Sequence, residues 1–271
     1  MYQKEGKKMN SKTKKALKAA GFQLYGDLVK INDSLYPMPL VQGNTKLGEK
    51  VWHASTFPTN ESVEVVLKDG RTASAAGTCP MFCKGCYGTT GNYNYSTTKY
   101  WLIMRTELLR KYPDVYFQLV KIQLENEDIE RLRIHATGDF ITGEAKKYYD
   151  LMKEFPHIKA WTYTKVTNDS DIELLDSLPN CNVVKSIIHG YGFNFGHVPY
   201  IANVYYYLKR NNKSVYICRC GIDKNQHCSN CDGCSDHEYV LFLEHSTGYK
   251  AESDYGFQKM IDLIESQKEG K

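Results

Sequence analysis

Apolar and polar positions change their period along the chain, and the changes mark out its elements. Residues 22–70 alternate short apolar runs with Gly, Pro and Asn, which predicts short strands and loops, including a turn at Gly43-Asn44-Thr45. Val63-Glu64-Val65-Val66-Leu67 runs into Asp69-Gly70, a strand followed by a turn. Residues 72–77 are small and predict a short buried strand. From Ser96 the pattern turns helical: Trp101, Met104 and Leu108 recur at i, i+3 and i+7, with Thr97 or Thr98 available as a cap and Pro113 ending the run. A second helix is expected over 114–127, with Val115, Leu119 and Ile122 on one face. Strands are then expected over 131–136, 158–164 and 183–189, separated by helices over 143–155 and 169–178, the latter capped by Asp or Ser. Residues 72–190 therefore read β-loop-α-α-β-α-β-α-β, which implies a parallel sheet with right-handed crossovers. After a glycine–aromatic loop at 190–196, which is either a lid or a plain connection, the pattern predicts a helix (199–209), strands (214–218 and 239–245) and a closing helix (255–266).

The fold class expected is α/β: a partial (β/α) barrel-like parallel sheet with a C-terminal cysteine-rich metal-binding appendage. The divisions expected are a basic flexible tail (1–20), N-terminal strands and loops (21–71), an α/β core (72–213), and a cysteine-rich segment with its closing strand and helix (214–271). The cysteine-rich stretch is too short to build its own core, so it is expected to dock on the main body.

Composition narrows the class. The chain is 42% apolar and 24% charged, an ordinary globular balance. A net charge of +4 permits nucleic-acid contact without arguing for it. The 21 tyrosines read first as packing groups. No apolar run approaches the ~20 residues of a membrane helix, and residues 1–18 are basic and polar rather than signal-like. A cytoplasmic location is the expectation. In that setting the nine cysteines read as metal ligands or redox groups rather than disulfides. Eight of them fall in two groups: Cys79, Cys83, Cys86, and Cys218, Cys220, Cys228, Cys231, Cys234. Cys181 stands apart and reads as a small buried hydrophobe.

The first group is spaced C-x3-C-x2-C. Structural zinc takes four closed ligands, and this loop offers three, with no histidine after Cys86 until His135. Three thiolates on one loop suit a 4Fe–4S cubane with one iron left open, although zinc completed by a distant residue is an alternative. Asp139 follows Gly138 at the end of a predicted strand, where α/β folds place ligands. His135 faces either that pocket or the core, and Tyr163 and Trp161 share one strand face. In the second group Cys220, Cys228, Cys231 and Cys234 are the favoured ligands, with Cys218 as the substitute. Either zinc or a 4Fe–4S cluster is acceptable there.

The loop Cys79–Cys86 after a strand resembles the radical S-adenosylmethionine superfamily over residues 72–190. The resemblance implies that the open iron binds the methionine part of S-adenosylmethionine. It also implies that Thr137-Gly138-Asp139, standing where the superfamily has a Gly-Gly-Glu type motif, holds the cofactor amino group. Polar residues at the end of the next strand, Tyr163 among them, would reach the same cofactor. The chain departs from that pattern at Gly85, where an aromatic residue is usual. A second resemblance covers nearly the whole chain. Gly43-Asn44-Thr45-Lys46-Leu47-Gly48, the Cys79–Tyr87 loop, His135 with Gly138-Asp139-Phe140, Tyr163-Thr164, and the late cysteines followed by His245 are similar to the phage gene product eighty-eight family. That likeness implies a phage or mobile-element origin and no particular chemistry.

The function expected is a radical S-adenosylmethionine-type iron–sulfur enzyme with a small-molecule cofactor, an electron donor and an unknown substrate. The alternative is a zinc-stabilised protein that binds nucleic acid in the replication or transfer of a mobile element.

Overall fold

The computed structural model describes residues 9–43, 47–48, 50–80, 86–89, 91–166, 169–186, 195–196, 198–219 and 226–243. It opens with a helix, α1 (Ser11–Ala19), capped by the Asn10 side chain, which accepts from Thr13 N. Three short strands, β1 (Gln23–Tyr25), β2 (Leu28–Ile31) and β3 (Ser34–Pro37), form an antiparallel meander. Then come β4 (Leu40–Gln42) and β5 (Val51–Ala54). Next, β6 (Ser62–Val66) and β7 (Thr72–Ala76) make a two-stranded hairpin. The helices α2 (Ser96–Lys111) and α3 (Pro113–Asn126) follow, with Pro113 starting α3, the helix position that tolerates a missing N–H. The chain continues through β8 (Arg131–Arg133), α4 (Glu144–Glu154), β9 (Lys159–Thr164), α5 (Ser170–Asp176) and β10 (Cys181–Lys185). It ends, as far as it is described, with β11 (Phe195–Gly196), α6 (Val198–Arg210), β12 (Val215–Cys218), α7 (Gly233–Asp236) and β13 (Tyr239–Leu243).

The central sheet has the order β10-β9-β8-β5-β4. Its four parallel strands β5, β8, β9 and β10 lie side by side in chain order, and β4 runs antiparallel at the edge. Right-handed crossovers between strands in sequential order put their helices on one face. Leu108, Leu119, Tyr148, Met152 and Leu175 of those helices accordingly join Trp52, Ala54, Leu132, Ala160 and Val183 of the strands in one buried core. Each such Leu, Met or Val side chain contributes roughly 1.5–3 kcal/mol when fully buried. The sheet is mixed and open.

One sequence expectation is corrected here. Residues 72–77 were expected to begin the parallel sheet, but β7 pairs antiparallel with β6, and the first parallel strand is β5. The Asp69-Gly70 turn explains this, because it closes the two strands into a hairpin before either can join the larger sheet. The 131–136 strand stops at Arg133, and His135 has φ 55°, which leaves the strand conformation. The expected flexible tail (1–20) is corrected in part: residues 11–19 form α1, which buries Leu17 and bonds through Thr13 to Glu127. Residues 1–8, the Gly43-Asn44-Thr45 turn beyond Gly43, most of the glycine–aromatic loop, His245 and the closing helix lie outside the described residues.

The opposite face of the sheet follows from strand period two. In register across the strands stand the rows Val51–Arg131–Lys159, His53–Arg133–Trp161–Asn182 and Tyr163–Val184. This face, rich in basic and aromatic groups, receives the cysteine-rich segment.

Candidate metal centre

Cys79 sits two residues beyond the Gly77 end of the hairpin. Backbone bonds fix it: Thr78 N donates to Phe57 O (3.0 Å) and Cys79 N to Thr59 O (3.0 Å). The Thr78 hydroxyl then links the loop to the sheet. It accepts from Asp139 N (2.9 Å) and pairs with the Thr56 hydroxyl (2.9 Å). The Asp139 carboxylate accepts from Phe140 N (2.9 Å), the Thr164 hydroxyl (2.6 Å) and Lys165 N (2.8 Å). Asp139 is therefore a clasp that ties the ends of β8 and β9 to the cysteine loop. At 1% exposure it has no open approach for a ligand. Gly138 is required in that clasp: its φ is 86°, and a Cβ there would lie 1.9 Å from Thr56 Oγ1 and 2.6 Å from Thr78 Oγ1.

The Cys79 thiol is pushed up to about 12 by burial and by the Asp139 charge, with Cys86 close enough to add to the effect and Lys165 opposing it. Cys86 is half-buried, and its carbonyl accepts from Thr89 N (3.0 Å) and the Thr89 hydroxyl (2.8 Å). Cys83 lies outside the described residues. The described thiols of this loop thus stand at the carboxyl ends of parallel strands, the edge at which α/β sheets bind ligands.

His135 lies in the core behind this clasp. Its Nε2 is 3.0 Å from Glu144 Oε1, close enough for an ion pair, yet the two atoms lack hydrogen-bond geometry. Burial opposes protonation, but the Glu144 charge outweighs it and raises the His135 pKa. The Thr137 hydroxyl is spent on Thr56 O (2.9 Å).

The second group is built differently. Cys218 ends β12, Cys228 opens a 3-10 turn (Cys228–Asn230), and Cys234 lies in α7. Cys218, Cys228, Cys231 and Cys234 line one cavity together with Trp161 and Ser235. Tyr163 donates its hydroxyl to Cys234 Sγ (2.8 Å), and Gly233 N approaches Cys231 Sγ (3.4 Å). The Tyr216 hydroxyl lies 3.1 Å from Cys231 Sγ and accepts from Gln226 Nε2 (3.2 Å), so its own hydrogen is available to the sulfur. Gly233 makes room for Tyr216, whose ring would come within 2.1 Å of a Cβ at that position. Burial, then the neighbouring Cys218, push the Cys234 thiol up to about 12.

This segment docks on the basic and aromatic face. Arg131 donates to Cys231 O (2.9 Å) and to Asp232 (2.7 Å). Asn182 donates to Cys234 O (2.7 Å) and His237 O (2.9 Å), and Lys159 pairs with Asp232 and Asp236. Leu47, Val51 and Trp161 pack against Cys228 and Cys234. Gly48 lies against Ser229.

The structure divides the expected cofactor set. Thr137, Gly138 and Asp139 stand by Cys79, while Tyr163 faces the other way and bonds to Cys234, because residues 163 and 164 point to opposite faces of β9. Cys228, Cys231 and Cys234 come together as expected. Cys220 lies outside the described residues, and Cys218, the expected substitute, completes the described set. Cys181 packs at the edge of the main core. Sequence reasoning missed Arg131, Lys159 and Asn182 as docking groups. The available signal was their period-two spacing on strands, which puts basic groups on the face opposite the core.

Among the described residues no helix is long and apolar enough to cross a membrane. A family model described as Gene product 88 matches residues 38–257, and the chain belongs to that family. No curated protein and no solved structure matches it.

Proposed function

We propose that this gene product 88 protein is an iron–sulfur protein and a radical S-adenosylmethionine-type enzyme, with Cys79, Cys83 and Cys86 holding a 4Fe–4S cluster that has one open iron. The observation carrying this reading is the position of the cysteine loop. It is bonded through Thr78 and Asp139 to the carboxyl ends of β8 and β9, in a parallel sheet whose strands follow chain order. Such a cluster would supply one electron to S-adenosylmethionine bound at its open iron.

The residues present fit a cluster better than they fit the expected grip on the cofactor. Cys79 and Cys86 are within electrostatic reach of each other, and a bound cation would offset the burial that keeps Cys79 protonated. Asp139 positions the loop. Three of the carboxylate's roughly four acceptor sites are already occupied, so the amino group of a cofactor has to find its acceptors elsewhere on this edge.

The test is anaerobic purification with iron and sulfide analysis, followed by EPR of the reduced protein with and without S-adenosylmethionine. Iron with sulfide and a signal altered by S-adenosylmethionine are expected. Zinc without sulfide would support the nucleic-acid-binding alternative, and a signal indifferent to S-adenosylmethionine removes the enzymatic reading.

A further inference from the structure

We infer that the groove along α2, lined by β3 and β7, is a docking site for an extended basic peptide segment of a partner protein, which adds as a strand beside β7. The inference rests on none of the cysteine chemistry.

Three observations carry it. First, the groove has the length of a short strand. Tyr100, Met104, Glu107 and Lys111, spaced three and four apart, form one stripe of α2. That stripe, β2 and β3 of the meander, and β6 and β7 of the hairpin border a cavity of about 570 Å³. Ligand sites commonly fall at ~300–1,000 Å³. From Tyr100 to Lys111 the helix rises about 16 Å, the reach of about five extended residues.

Second, a sheet edge at this cavity is unguarded. β7 belongs to a two-stranded sheet and pairs only with β6 among the described residues. Proteins usually blunt such edges with charge, proline or a bulge. Thr72–Ala76 has no charged residue and no proline, and its register with β6 runs unbroken. Ala73 and its two neighbours in β7 line the cavity. An edge of this kind is a template for an added strand, where main-chain hydrogen bonds supply affinity and alternate side chains supply specificity.

Third, the charge left over is negative. Arg71 is held by Asp69 (2.8 Å), and its guanidinium lies over the Tyr100 and Trp101 rings. Lys111 is held by Glu107 Oε1 (2.6 Å), which also accepts from the Tyr36 hydroxyl. Two groups remain to meet a ligand. Glu64, exposed on β6 across from Ser74, has no partner among the described residues, and neither has Oε2 of the half-buried Glu107. They stand in one cavity with Leu35, Trp101 and Met104. A segment alternating basic and apolar side chains matches that lining. A nucleic-acid strand would bring phosphates against both carboxylates.

The test titrates the full chain with a dye-labelled peptide of about seven alternating lysine and valine residues, read by fluorescence anisotropy. Saturable binding is expected. A glutamate–valine counterpart should bind at least about tenfold more weakly. A peptide methylated on its valine backbone nitrogens should also lose at least about tenfold, because it lacks strand donors. Glu64→Lys should weaken the lysine–valine peptide about fivefold with an unchanged thermal unfolding curve, since Glu64 is exposed. No saturation by about 1 mM, equal binding of the two charge versions, or indifference to Glu64→Lys overturns the site. Indifference to N-methylation overturns strand addition. Tighter binding of an oligodeoxythymidine would assign the groove to nucleic acid, and a sedimenting dimer dissolved by Glu64→Lys would assign it to a second copy; either overturns the peptide partner.

Discussion

The two cysteine regions hold their thiols by different means. Around Cys79 the hydrogen bonds go to the backbone and to a clasp one residue away, Thr78 with Asp139 and Gly138. Around Cys218–Cys234 they go to the sulfurs themselves, from Tyr163, Tyr216 and Gly233, and to the carbonyls of the ligand residues, from Arg131 and Asn182. The first arrangement fixes a loop and leaves Cys79 buried and Cys86 half-buried at the sheet edge. The second brings donors to the sulfurs of Cys231 and Cys234. On the reading proposed above, the first region would be the one that receives a small molecule.

The largest expected effect strikes the first region alone. Asp139→Ala leaves Phe140 N, Lys165 N and the Thr164 hydroxyl without their buried acceptor. A loss of about 3–5 kcal/mol is expected from denaturant unfolding, with iron lost from the Cys79 site while amide exchange in the cysteine-rich segment is unchanged. Equal loosening of both would show that the regions are not separately held.

Gly138→Ala tests the same clasp through sterics. The added methyl meets Thr56 Oγ1 at 1.9 Å in a left-handed backbone conformation, so a cost of about 2–4 kcal/mol is expected. Adding Thr56→Ala removes the closest contact. The double variant should therefore cost clearly less than the sum of the two single variants, and strict additivity would place the strain elsewhere.

Much of this was legible in the sequence. The helical periods from 96 to 127 and the strands expected over 158–164 and 183–189 gave the parallel unit, although the last begins two residues earlier and ends at Lys185, because amphipathic spacing records which face meets the core. The first strand was misassigned since small residues at 72–76 satisfy a buried strand and a hairpin alike; only pairing distinguishes them. The cysteine spacings marked out two groups. They did not reveal that Asp139 would be consumed as a clasp, or that Tyr163 would serve the other site, because both depend on register across strands that are distant in sequence.

Acid distinguishes the regions by sign. His53, on the docking face, is pushed down to about 3 by burial and by the Arg105 and Arg133 cations. Its contribution is present above the unfolded value of 6.5 and is lost as pH falls toward 3, at up to about 1.4 kcal/mol per pH unit. His135, behind the clasp, has a raised pKa, held up by Glu144 against burial. Its contribution is present below 6.5 and is lost as pH rises through the raised value. In stability profiles against pH, His53→Gln should flatten the acid limb and His135→Gln the limb above 6.5. The same change from both variants would contradict the opposed environments.

The smallest effect is the most selective. Tyr163→Phe keeps the ring, which packs edge-on against Phe242 and beneath the Arg133 cation, and removes only the hydroxyl that reaches Cys234. About 1 kcal/mol of stability should be lost. Alkylation of Cys234 should slow, because the bond donated by Tyr163 favours the thiolate that reacts. The EPR response of the first site to S-adenosylmethionine should not change. If Tyr163 instead reached the cofactor from β9, the substitution would weaken that response and leave Cys234 unchanged, so this one oxygen atom decides to which of the two regions the strand end belongs.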